Sequence, residues 1–103
     1  DRHVWVSGSV GIRQDGTIPD STVEQFRVAL DAVDACLRHA GANAAQVVKV
    51  TVFMTDITER PLINPLRIAY FGEHRPASTL VEVSALVDPR LKVEIEAVAY
   101  IDG

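Results

Sequence analysis

A chain of 103 residues with a formal charge of −4 and a pI near 5.2 lacks the cationic field that a nucleic acid or an anionic membrane surface would require. At 48% apolar and 23% charged residues it reads as one globular domain over 1–103, and its start at Asp1 in place of a methionine adds the expectation of N-terminal truncation. The single cysteine, Cys36, excludes an internal disulfide framework and fits a reducing, cytoplasmic setting, and no apolar run nears the ~18 residues of a membrane span.

In chain order, VWVSGSVGI (4–12) alternates, with Val4, Val6, Val10 and Ile12 on one side and Trp5, Ser7 and Ser9 on the other, which predicts a first strand. QDGTIP (14–19) is a turn region. STVE (21–24) has the form of a capping box, Ser21 bonding the first turn while Glu24 reaches back, and opens a helix that ends at His39 or Ala40 before Gly41. Val23, Phe26, Leu30, Val33, Leu37 and Ala40 make its apolar stripe, and Cys36 is expected among them as a small buried hydrophobe. VVKVTVFMT (47–55) predicts a second strand, with Val48, Val50, Val52 and Met54 opposite Lys49, Thr51, Phe53 and Thr55. A second helix is predicted over about 58–73. Pro61 suits its first turn, whereas Pro65 would break an interior turn, so Asn64-Pro65 also reads as a fresh start with Asn64 as cap. STLVEVSAL (78–86), a VDPR turn (87–90) and LKVEIEAVAY (91–100) complete the pattern with two more strands.

The order β-α-β-α-β-β predicts two crossover units followed by an antiparallel hairpin, with both helices on one face of a mixed sheet: a two-layer α/β sandwich. Each strand has one apolar face, assigned to the helices. The opposite faces combine Trp5, Phe53, Leu80, Val98 and Tyr100 with Glu82, Glu94, Glu96 and the serines, Ser78 among them by parity. An apolar patch of that size predicts a face covered by further copies of the chain. Glu94 would then point into an assembly and Glu96 would lie at an interface or its rim.

The segments VWVSGSVG, QVVKVTVFMTDI, INPLRIAYF, RPASTLVEVSAL and KVEIEAVAY stand in the order and spacing of the RidA/YjgF family of reactive-intermediate deaminases, also known as L-PSP endoribonuclease-like proteins, which the chain resembles over nearly all its length. The resemblance implies a chorismate-mutase-like fold assembled as a homotrimer. It also implies keto-acid or imino-acid ligands in clefts between subunits, hydrolysis of enamines and imines to keto acids and ammonia, and no cofactor or metal. Carried over by position, Glu94 is the catalytic carboxylate that positions or activates water, and Ser7, Gly8 and Asn64 are ligand-binding, with Thr79 and Leu80 beside position 78. Where the family reads Pro-Ala-Arg, this chain reads Pro76-Ala77-Ser78, and a serine hydroxyl cannot replace a bidentate guanidinium on a substrate carboxylate. Arg75 is one residue that could supply the lost cation.

Three functions follow from those residues. The first is a RidA-like trimer that hydrolyses enamine or imine intermediates, with standard deaminase activity put in question by Ser78. The second is a non-catalytic small-ligand-binding or regulatory trimer. The third and weakest is a ribonuclease, which the acidity disfavours. His3, His39 and His74 are too scattered to suggest a metal site, GSVG lacks the Gly-Lys-Ser/Thr of a phosphate loop, and Trp5, Phe53 and Tyr100 suit an interface better than a base-stacking platform.

Overall fold

A computed structural model describes residues 1–102. It contains β1 (Arg2–Val10), α1 (Thr22–His39), β2 (Val47–Met54), α2 (Arg60–Phe71), β3 (Ala77–Glu82) and β4 (Val93–Ile101), with short 3-10 turns at Ala44–Gln46 and Ile57–Glu59. Two helices pack on one face of a four-stranded mixed sheet, as the alternation of the strands requires. The strand order is β1-β4-β2-β3. The predicted β3–β4 hairpin does not form. Instead β4 enters the middle of the sheet, antiparallel to both β1 and β2, while β2 and β3 pair in parallel. The physical reason is burial: Val93, Ile95, Ala97 and Ala99 are nearly inaccessible and need neighbours on both sides, which an edge strand cannot supply.

The core lies between the sheet and the helices. Phe26, Ala29, Leu30, Val33 and Leu37 of α1 meet Val50, Val52 and Met54 of β2 and the apolar face of β4, and α2 adds Ile63 and Phe71. Ser21 caps α1 by accepting the Glu24 N–H at 3.1 Å, but Glu24 does not reach back; its carboxylate pairs with Arg27 at 3.1 Å. Gly41 follows the helix with φ +84°, a conformation that L side chains rarely adopt. Cys36 is exposed, contrary to the buried place expected of it. It lies beside Leu37 but on the solvent side of the helix, while Val33 and Leu37 themselves are buried.

α2 runs through Pro65 without a restart at Asn64. Pro65 lies close enough to the helix start that its missing N–H removes only one early bond, to the carbonyl of Pro61. Buried Gln25 closes the structure opposite. Its amide donates to the carbonyls of Pro19 and Arg90, both at 2.9 Å, and accepts the Lys92 N–H at 2.8 Å, tying the loop after β1 and the entry to β4 onto α1.

Two bulges and one reversed strand alter the predicted faces. On β1, Ser7 and Gly8 together stand opposite Glu96, so Ser9 pairs with Ile95 on the helix side and Val10 with Glu94 on the open side. A second irregularity at Val48 turns that residue outward and puts Val47 in the core. On β3 the parity is opposite to the expectation: Ser78 and Leu80 pair with Val50 and Val52 on the helix side, and Thr79 and Val81 pair with Thr51 and Phe53 on the open face. β3 is the sheet edge, where polar residues tolerate the helix side because α2 covers it incompletely; Leu80 alone packs against the core there.

Candidate active site

The bulge of β1 builds the first half of the site. A bulge bends its strand and leaves backbone groups outside the ladder. Here it brings Gly8 under the side chain of Glu94 on the neighbouring strand. A Cβ on Gly8 would fall 2.3 Å from Glu94 Oε2 and 2.7 Å from its Cδ, so only a residue without a side chain allows the carboxylate to lie where it does. Glu94 is half-buried, and no protein group among the described residues donates a hydrogen bond or pairs as an ion with its carboxylate. A half-buried carboxylate with unused acceptor positions can hold and polarise a water molecule. Ser7, next to Gly8, is exposed; its carbonyl accepts a bond from the Ser9 hydroxyl at 3.3 Å.

This half opens onto the uncovered face of the sheet. Trp5 is 76% exposed there, beside Val98, Thr51, Lys49 and Glu96 around a cleft of about 240 Å³. Glu96 is exposed at that cleft and makes no ion pair among the described residues; the Lys49 ammonium bonds instead to the Thr79 hydroxyl. The His3 ring stacks obliquely on Tyr100 with centroids 5.1 Å apart.

The remaining candidate residues lie on the other side of the sheet. Ser78 and Leu80 face a cleft of about 350 Å³ shared with Arg60 and Arg67 of α2. Asn64 does not cap a helix; its Oδ1 accepts two bonds from Arg67, from Nε at 3.1 Å and from Nη2 at 2.8 Å. Arg75 lines a neighbouring hollow with Arg67, Phe71, His74 and Pro76, so that Arg67 borders both this hollow and the cleft of Ser78, whereas Arg75 is not among the residues that line the latter. The sequence residues therefore separate into Ser7, Gly8 and Glu94 on one face and Asn64, Ser78 and Leu80 on the other, with Thr79 on the Glu94 side but at the sheet edge. Within one protomer the two groups do not meet.

Arg60 and Arg67 were missed by sequence reasoning, although the Asn64-x-x-Arg67 spacing places those two side chains on one helical face and could have signalled the pair. No three His, Cys, Asp or Glu side chains converge as metal ligands among the described residues. Perturbed acidities lie away from both clefts. Arg38 and the Tyr70 hydroxyl hold the Asp34 carboxyl below the usual range, burial and Asp34 push Tyr70 upward, and Arg90 draws Asp88 down to about 2.

A bulged strand cradling a glutamate on a two-helix, four-strand mixed sheet defines a small two-layer α/β protein with a half-buried carboxylate on the open face of its sheet. Residues 1–101 match the endoribonuclease L-PSP family, and the chain belongs to that family, the RidA/YjgF group. It is 36% identical over 100 residues to the 2-iminobutanoate/2-iminopropanoate deaminase of Escherichia coli, covering 93% of this chain and 77% of that one. It is 37% identical over 99 residues to a RutC family protein of Pyrococcus abyssi, covering 94% and 77%. Among solved structures, Escherichia coli TdcF with bound serine superposes with a TM-score of 0.91 at 34% identity, covering 97% of this chain and 81% of that one. A Mycobacterium tuberculosis member of the YjgF/YER057c/UK114 family gives 0.88 at 37%, covering 96% and 79%.

Proposed function

We propose that this chain hydrolyses small enamine or imine intermediates to the keto acid and ammonia, in clefts completed between protomers of a cytoplasmic homotrimer. The observation that carries this reading is the unpaired Glu94 carboxylate seated over Gly8 at the β1 bulge. Glu94 accepts a proton from water as the water oxygen bonds to the imine carbon. That proton passes to the nitrogen to give the neutral carbinolamine. The carbinolamine hydroxyl proton then moves through Glu94 to the nitrogen as the C–N bond breaks, so that ammonia leaves and the carbonyl forms. An enamine enters the same path once it has tautomerised to the imine. The opposed placement of Glu94 and the Asn64–Ser78 group supports completion across subunits, and the exposed Trp5 face offers the surface for assembly. The deaminase named among the relatives supports the reaction class.

Sedimentation equilibrium gives the assembly state, with a trimer expected. A coupled assay that generates 2-aminoacrylate in situ reads the reaction, with activity expected in the parent and at least about 10²-fold less in Glu94→Ala. A monomeric protein, or a Glu94→Ala variant as fast as the parent, would overturn the reading. Ser78 favours one competitor, a binding trimer without catalysis; ligand binding with no turnover in the parent would identify it.

A further inference from the structure

The cleft beside Ser78 contains cationic donors that acceptors among the described residues satisfy only in part. Of the five N–H groups of Arg67, two go to Asn64, and the remainder have no acceptor among the described residues. Neither Arg60 nor Arg67 belongs to an ion pair there; the recorded pairs are Arg27–Glu24, Arg38–Asp34 and Arg90–Asp88. The acidic groups at the end of β3 and just before α2 are engaged elsewhere, Glu82 with the Ile57 N–H at 2.9 Å and Glu59 with the Thr22 hydroxyl at 2.8 Å. Ser78, on the floor of the same cleft, is small enough to leave the space in front of Arg67 open.

We infer that Arg67, oriented by Asn64 and assisted by Arg60, is the carboxylate-binding residue of this protein, so that the cation expected on β3 at position 78 is supplied instead from helix α2. The inference rests on the proposed inter-subunit site, whose ligand it specifies as a small 2-keto or 2-imino acid held by its carboxylate. Its chemistry is direct. Asn64 Oδ1 fixes the guanidinium plane by accepting from Nε and one edge of Nη2, and the Nη1 side stays free to donate to a carboxylate, with the Ser78 hydroxyl as a further donor. Asn64 is here a positioning residue. An arginine at position 78 would enter the same cleft as Arg67, which gives the serine a reason of its own: two guanidinium groups there would crowd and repel each other.

The test is calorimetric titration of the intact oligomer with 2-ketobutanoate and with its uncharged amide. The parent is expected to bind the acid at least about tenfold more tightly than the amide, and Arg67→Ala to lose about tenfold or more in affinity for the acid. Arg67→Gln, which keeps most of the side-chain stem, should lose as much, and Arg75→Ala nothing. Ser78→Arg placed in the Arg67→Ala background should restore binding, a rescue that a purely structural role for Arg67 would not produce. Equal affinity of the parent and Arg67→Ala, or of acid and amide, would overturn the inference while leaving the catalytic reading of Glu94 in place. A parent that binds no keto acid and turns over no imine would overturn both.

Discussion

Gly8→Ala tests the site at the point where sequence, backbone and chemistry are joined. The new Cβ would lie 2.3 Å from Glu94 Oε2, and ordinary van der Waals contact begins near 3.4 Å, so the carboxylate must retreat by about 1.1 Å. The atoms it meets are the far end of a flexible side chain and no backbone atom, so the fold should survive. Moving Glu94 off its preferred rotamer costs of order 0.5–1.5 kcal/mol, or a fall in Tm of a few degrees. Catalysis is far less tolerant: a misplacement of about 1 Å costs on the order of 10² in rate, equivalent to about 2.7 kcal/mol of barrier. The coupled 2-aminoacrylate assay should therefore show kcat/KM down by about 10²-fold while thermal unfolding by circular dichroism changes little. In a Glu94→Ala background, Gly8→Ala should cost almost no stability, since the clashing group is gone. A Gly8→Ala enzyme as active as the parent, or a stability loss that persists without Glu94, would refute the account of Gly8 as the seat of the carboxylate.

Trp5→Glu, which puts a charge on the 76% exposed indole position of the open face, should shift the protein toward monomers in sedimentation and remove activity together with assembly. Gln25→Leu leaves the Pro19 and Arg90 carbonyls and the Lys92 N–H without their partner and should cost about 2–3 kcal/mol in urea unfolding, because the apolar replacement satisfies none of them. Gly11→Ala should also destabilise, since its Cβ would stand 2.7 Å from the Gln25 Cα and a backbone cannot step aside as the Glu94 side chain can. Asp34 and Asp88 have folded acidities below their unfolded values, the first through Arg38 and Tyr70 and the second, at about 2, through Arg90. Their contribution is present in full above the ordinary aspartate range near pH 4 and is lost as pH falls through the depressed folded values. Unfolding midpoints should thus hold from pH 8 to pH 5 and decline below pH 4, less steeply in Asp34→Asn; an unchanged acid limb in that variant would contradict the Asp34 assignment.

The elements themselves were legible because each rests on a local signal. Ser21 and Gly41 bracket α1, the valines alternate along β1 and β2, and the buried face of β4 is spelled by Val93, Ile95, Ala97 and Ala99. What failed was long-range. Alternation gives the two faces of a strand but not which face meets the helices, and a single extra residue reverses the assignment. At Ser7-Gly8 that extra residue carried Ser9 inward and Val10 outward; at Val48 it moved a valine out of the core. β3 fails differently. Its two faces are almost equally mixed, so parity alone had nothing to choose between them; the crossover order implies a parallel β2–β3 pair, but the register that sets Ser78 opposite Val50 is not contained in it.

That reversal changes what Ser78 means. Beside Glu94, a serine in place of arginine would leave a catalytic carboxylate without its partner in the same pocket. On the helix side it shares a cleft with two arginines, on the face of the sheet opposite to Glu94. A ligand that touches both Glu94 and Arg67 must then bridge two faces of the fold, which one protomer cannot present to a small molecule at once. Assembly and catalysis become a single requirement: a variant that stays folded but monomeric should bind weakly through Arg67 and turn nothing over, while Glu94→Ala should assemble, bind and remain inactive. Glu94→Ala mixed with Arg67→Ala, both able to assemble, should recover activity only if protomers exchange and a cleft draws Glu94 from one chain and Arg67 from the other.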